Sequence, residues 1–236
     1  MCGDPLKRPF DLEQVLALVR QAVAPYPPAA LFALAEAGHR SLFEQLVACL
    51  ISVRTRDEVT LQVAPRLFAR ARTPAELLAL PLTELQAILR PAAFAETKAR
   101  HLQVIARRAV DDYGGALPCQ EEALLALPGI GPKCAHLGLG IACGLPFIAV
   151  DIHVHRVTNR WGYVRTRSPE ETMRALEQQL PRAYWVEINR LLVPFGKHIC
   201  TGTLPRCTSC PVLPYCQQVG VRQHRSPNET GGAPAG

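Results

Sequence analysis

The chain has 236 residues, 48% of them hydrophobic, with a formal charge of +6 and a pI of about 9.0. That length carries one large domain or two small ones with real cores, and the ordinary apolar content excludes a disordered or fibrous chain. The basic balance suits a polyanion partner without naming one.

Met1 to Pro9 is polar and does not resemble a secretion signal. The longest apolar run, Leu137 to Val150, is interrupted by Gly138, Gly140, Gly144 and Pro146 and is too short to span a bilayer. The expectation is a cytoplasmic protein, associated with the nucleoid if bacterial, with no membrane partner.

In chain order, Leu12, Val15, Leu16, Val19 and Val23 keep helical spacing and stop at Pro25. Phe43, Leu46, Val47, Leu50 and Ile51 make a stripe wide enough for a core helix. The polar run Ser52-Val53-Arg54-Thr55-Arg56-Asp57 interrupts before helix resumes through Val59, Val63 and Leu67. Thr73-Pro74-Ala75-Glu76 is a capping box with proline at the first helical position. Leu82 to Leu89 is short and amphipathic. Lys98 to Asp112 is helical with Leu102, Ile105 and Ala109 inward and Lys98, Arg100, Arg107 and Arg108 expected outside, and Gly114-Gly115 ends it.

Glu122 to Leu127 is halted by Pro128, turned by Gly129 and Gly131, and restarted as helix behind Pro132 and Lys133. Both glycines are expected to supply positive φ. Backbone amides at a helix N-terminus make an anion site, with phosphate the usual anion. An ordinary helix-turn-helix connection has the same pattern, and the hairpin alone leaves both open.

Phe147 to Val150 reads as an extended connector, because no partner strand is visible. Asp151 then opens a helix through Val154, Val157 and Trp161. Ser168-Pro169-Glu170-Glu171 is a second capping box, and Trp185 to Leu192 is one more helix. With no period-two alternation and no repeat, the fold class is all-α, roughly ten helices, followed by a tail from Arg222 composed like a disordered segment.

Of nine cysteines, Cys2, Cys49, Cys119, Cys134 and Cys143 are scattered and read as small core residues. Cys200, Cys207, Cys210 and Cys216 fall within 17 residues as C-x6-C-x2-C-x5-C, interleaved with Pro205, Pro211 and Pro214. In a cytosolic chain such a quartet points to a metal rather than to disulfides. Four thiolates suit zinc or an iron–sulfur cubane equally, zinc being the commoner structural metal.

Hairpin and quartet together resemble the endonuclease III family, the base-excision DNA glycosylases of the helix-hairpin-helix superfamily. Four blocks carry the likeness: Leu50-Ile51-Ser52 leading to Asp57, the hairpin LPGIGPK, the run AVDIHVHRVTNR from Ala149 to Arg160, and the quartet. Their order and spacing fit from about Leu12 to Cys216.

The resemblance implies one [4Fe-4S] cluster on Cys200, Cys207, Cys210 and Cys216. It implies a helix-hairpin-helix DNA glycosylase fold: a six-helix barrel domain over 35–145 containing the hairpin at about 122–138, an iron–sulfur cluster domain built from 1–34 with 146–221, a cleft between, and the tail at 222–236. Lys133 falls on the family's nucleophile and Asp151 on its catalytic carboxylate. The expected reaction is bifunctional. The amine displaces an oxidised pyrimidine at C1′, a Schiff base forms, and β-elimination breaks the 3′ phosphate bond. The partner is double-stranded DNA carrying oxidised pyrimidines or abasic sites, and the protein is expected to be a monomer.

Gly129, Gly131, Lys133, Arg54, His153 and Arg206 are the expected DNA contacts, with Ser52 supporting. Family members commonly carry glutamine where this chain has Arg54, and their aromatic three residues before the lysine of the next loop, where Phe94 stands four before Lys98. Two other readings stand beside this one: a monofunctional or weakly active glycosylase limited by the Arg54 loop, and a non-catalytic damage-binding or redox-sensing protein.

Overall fold

The computed structural model describes residues 7–225. Cys2 and the stretch 226–236 of the expected tail lie outside them. Among the described residues there are twelve α-helices, three single-turn 3-10 helices and no strand, two α-helices more than the periodicity indicated. No helix among them is long and apolar enough to cross a membrane. The chain divides into two compact units.

One unit is Ala29–Ala149 with Arg182–Val186. It holds α2 (Ala30–Glu36), α3 (Leu42–Ser52), α4 (Asp57–Phe68), α5 (Pro74–Ala79), α6 (Leu82–Leu89), α7 (Ala95–Tyr113), α8 (Glu121–Leu125) and α9 (Pro132–Cys143). The box at Thr73 forms as its sequence implied. A second, unforeseen, starts α3: the Glu44 amide donates to Ser41 Oγ at 3.2 Å, and the Ser41 amide to Glu44 Oε2 at 3.1 Å.

Helix α3 is buried almost all round, and its main partner is α9. Leu46 and Ile51 from one helix and Ala135 and Leu139 from the other are fully out of water. Burying a large aliphatic chain of this kind contributes roughly 1.5–3 kcal/mol. Gly138 brings the axes together, since a Cβ there would lie 3.0 Å from Leu42 Cδ1 and 3.1 Å from Leu46 Cδ2. The same approach brings Cys49 against Cys134, Cα atoms 5.6 Å apart, as a disulfide, and Cys119 is joined to Cys143 with Cα atoms 6.1 Å apart. These pairings correct the expectation of small core residues, because no local signal marks a pair 85 positions apart.

Lys98 also departs from expectation. It lies on the buried stripe of α7, 4% exposed, not on the outer face.

The other unit takes the described residues up to Pro28, Val150–Pro181 and the described residues from Glu187 onward. Its helices are α1 (Leu12–Val23), α10 (Ile152–Trp161), α11 (Pro169–Gln179) and α12 (Glu187–His198). Trp161, 1% exposed, sits with its ring centroid 6.0 Å from Phe10 and 6.2 Å from Phe195, so the N-terminal segment, α10 and α12 share one core. Arg20 on α1 adds two 2.7 Å bonds to the Glu187 carboxylate. At Ser168 only half of the expected box forms: the hydroxyl accepts from the Glu171 amide at 3.2 Å, but the Glu171 carboxylate takes the Arg167 amide instead.

The cysteine-bearing segment has almost no regular structure and hangs from its neighbours by backbone bonds. The Gln217 and Val219 amides donate to the last carbonyls of α10, at Trp161 and Arg160, and the Arg8 amide donates to the Pro214 carbonyl at 2.8 Å.

Candidate active site and cysteine centre

The hairpin is anchored by its apolar residues, Leu127 and Ile130, both buried. Gly129 takes φ +75°, and a Cβ there would fall 2.6 Å from His101 Nδ1 and 2.9 Å from Leu50 Cδ1. Both conformation and space demand glycine. Gly131 corrects the expectation of two positive-φ glycines, because its φ is −99°. It is the N-cap of α9 in extended conformation, and no side chain there caps the helix. Pro132 occupies the first helical position, so the next amides, of Lys133 and Cys134, are the donors that an α-helix N-terminus leaves unmatched. Lys133 is half-buried, one step into α9, and its amine has no hydrogen-bond or ion-pair partner among the described residues.

Asp151 caps α10. Its Oδ1 accepts from the His153 and Val154 amides, both at 2.9 Å. Both bonds fall on one carboxylate oxygen, which leaves Oδ2 for other work. His153, two residues on, meets Arg156 of the same helix: Arg156 donates to its Nδ1 at 3.1 Å and also to the Gly196 and Cys200 carbonyls at 2.8 and 3.2 Å.

At the end of α3, Ser52 Oγ donates back to the Cys49 carbonyl at 2.8 Å, a local helix stop. Arg54 follows in the left-handed region, φ +52°, and is exposed. Phe94, also left-handed at φ +59°, is 59% exposed at the start of α7. The two meet: the Arg54 guanidinium lies 5.7 Å from the Phe94 ring centroid.

Cys200, Cys207, Cys210 and Cys216 are all unpaired and line one cavity with Trp161, Phe195 and Leu213. Burial pushes the Cys210 thiol up to about 12 and Cys216 to about 11, and the other thiols add to both shifts. Cys200 is raised by burial too, partly offset by Arg160, whose Nη1 donates to its sulfur at 3.4 Å. Four unpaired thiols facing one apolar pocket, three of them raised by burial, are a donor set suited to a cationic centre. Among the described residues, no three His, Cys, Asp or Glu side chains close up as for a single ion. Arg206 is exposed on the same segment, its amide held by the Ile199 carbonyl at 3.0 Å.

The family model of the HhH-GPD superfamily base excision DNA repair protein matches residues 47–182. Endonuclease III of Thermotoga maritima is 40% identical over 175 residues, 74% of this chain and 82% of the relative. The chain belongs to the endonuclease III family. Endonuclease III of Bacillus subtilis is 35% identical over 181 residues, covering 76% of this chain and 83% of that one. Among solved structures, a trapped endonuclease III–DNA covalent intermediate, an estranged-adenine complex, superposes with a TM-score of 0.75 at 33% identity, over 87% of this chain and 95% of the other. Membership places the chain among the base-excision DNA glycosylases with AP lyase activity.

For an endonuclease III family member, three features escaped the sequence. Lys98, expected on the outer face, precedes Leu102 by four residues and Ile105 by seven, the spacing of the inward stripe itself. Arg156 and Arg160 had no role, and their spacing from Asp151 gives no hint of the cysteine segment that they grip. The Arg54–Phe94 contact has no signal in either loop alone.

Proposed function

We propose that this chain excises oxidised pyrimidines from duplex DNA and cleaves the resulting abasic site by β-elimination, with Lys133 as nucleophile. The observation that carries the reading is the placement of Lys133. It is an amine without a partner among the described residues, one position inside an uncapped helix N-terminus, behind a turn that only glycine can make. The Gly129–Gly131 turn and the free amides of α9 bind backbone phosphate, which brings C1′ of the target sugar to the amine.

The neutral Lys133 amine attacks C1′ and the bond from C1′ to the base breaks, the base leaving with a proton. Ring opening gives the protonated Schiff base. Loss of a C2′ proton then expels the 3′ phosphate, and hydrolysis of the imine returns the lysine. Asp151 assists through the oxygen its cap does not use, stabilising positive charge on the sugar or accepting the proton that Lys133 loses on attack. Arg54 fills the space left by the everted base and donates to its former partner. Arg206 and His153 support phosphate contact, and Ser52 holds the start of the Arg54 loop.

A [4Fe-4S] cluster bound by Cys200, Cys207, Cys210 and Cys216 fits the unpaired, mutually opposed thiols, and when bound it supplies order to an otherwise irregular basic segment. A DNA-repair role puts the protein in the compartment of the chromosome, acting as a monomer. Borohydride trapping tests the reading. Wild-type protein incubated with thymine-glycol or abasic duplex should form a covalent adduct that is absent in Lys133→Ala. If wild type traps on neither substrate, the reading fails.

A further inference from the structure

The role proposed above for Arg54 leaves open what keeps its loop in shape. A chain of contacts answers that. Helix α3 ends at Ser52, where terminal carbonyls need donors. Lys98 Nζ, coming from α7, donates to the Ile51 carbonyl at 2.7 Å, the Val53 carbonyl at 2.8 Å and Thr55 Oγ1 at 3.1 Å. An ammonium buried this deeply is tolerated when each of its three protons has an acceptor, and here each does. Thr55 Oγ1 in turn accepts from the Ala93 amide at 3.2 Å, one residue before Phe94. One buried cation thus joins the Arg54 loop to the Phe94 loop, whose exposed tips both adopt left-handed backbone and stack on each other. Non-glycine residues hold such conformations only where their surroundings over-determine them.

We propose that Lys98 is a positioning residue for lesion access, fastening the Arg54 and Phe94 tips into one rigid wedge that enters the duplex as the damaged base leaves it. The inference rests on the glycosylase reading above. Lys98 itself touches neither DNA nor the reacting sugar; it acts through the two loops. The wedge matters where base pairs must be opened and the gap held, and it is dispensable where the lesion is already unpaired.

The test compares Lys98→Met, which keeps most of the side-chain volume, and Thr55→Val, which deletes the shared acceptor, on two substrates. On thymine glycol in an intact duplex, single-turnover excision should fall on the order of tenfold to a hundredfold in each variant, the loss expected of a misplaced positioning element. With an abasic site inside an unpaired bubble flanked by duplex, borohydride trapping should stay within about twofold of wild type, since the amine and phosphate grip are untouched. The double variant should lose no more than the worse single one, because both substitutions break the same node. Equal losses on both substrates, or no loss on the duplex, would overturn the assignment. Should Lys98→Met fail to fold by circular dichroism, the same contrast in Thr55→Val decides alone. Wild-type protein that traps on neither substrate would instead sink the glycosylase reading, and this inference with it.

Discussion

The Arg54 guanidinium stacks over the exposed Phe94 ring at 5.7 Å, joining two loops of one unit by their tips. Each tip is a non-glycine residue at positive φ, and exposure denies either a packing reason for its conformation. Arg54→Ala and Phe94→Ala should each slow excision from duplex DNA. A double-mutant cycle should return a coupling of about 0.5–1 kcal/mol, the size of an exposed cation–π contact. Arg54→Gln should keep most activity and shift the opposite-base preference, read on a panel with each of the natural bases across from the lesion.

Asp151 is both a helix cap and a catalytic candidate, and asparagine separates the two. Asn caps as well as Asp, so Asp151→Asn should leave the melting free energy within about 0.5 kcal/mol of wild type. Losing the carboxylate should cost on the order of 10²–10⁴ in single-turnover rate. A variant that melts early but reacts normally would reduce Asp151 to a cap.

The two hairpin glycines should behave unlike each other. Gly129→Ala meets positive φ and two close atoms, so a loss of about 1–3 kcal/mol in chemical denaturation is expected. Gly131 has open space and φ −99°, so Gly131→Ala should be stable within about 0.5 kcal/mol and weaken DNA binding instead, by crowding the amides. Denaturation curves beside fluorescence-anisotropy titrations resolve the pair.

Lys98 also gives the protein a pH signature. Burial lowers its amine from 10.5 to about 8. Between those values the unfolded chain holds the proton and the native chain does not, so unfolding takes up a proton and stability rises with pH. Below about 8 both states are protonated and the native state carries the whole desolvation cost. Burial raises the Tyr163 phenol from 10.0 and the Cys200, Cys210 and Cys216 thiols from 9.0, and these act in the opposite sense, so the Lys98 part is read as a difference between two proteins. Between pH 8 and 10 the denaturation midpoint of wild type should rise relative to that of Lys98→Met, which lacks the titrating amine.

Arg160 ties the cysteine segment to α10, with Nη1 on the Cys200 sulfur at 3.4 Å and the Thr201 carbonyl at 2.6 Å, and Nη2 on the Gly202 carbonyl at 2.8 Å. Arg160→Ala should lower stability by about 1.5–3 kcal/mol, as expected for lost charge-assisted bonds. It should also speed the chelator-induced loss of absorption near about 400 nm that an iron–sulfur thiolate centre provides. A colourless wild-type protein with stoichiometric zinc would overturn the cluster assignment.

Much of this molecule is readable one segment at a time. The Thr73 box, the stop at Gly114, the Asp151 cap and the Gly129 turn are set by residues within four positions of one another, and each forms. The cysteine spacing and the hairpin wording were enough to point to the family, because both are short and densely specified. Errors arose where a residue's environment is supplied from afar. Lys98 looked like one more cation on a charged helix until the end of α3, more than forty positions earlier, provided its acceptors. Cys49 met Cys134 only because Gly138 lets α3 and α9 close together. Arg160 found the Cys200 loop, and Arg54 found Phe94, for the same reason. Capping and turn formation are decided by local backbone chemistry, which the order of residues specifies directly. The partner of a buried charge is decided by which helices pack, a sum over the whole core that no single segment contains.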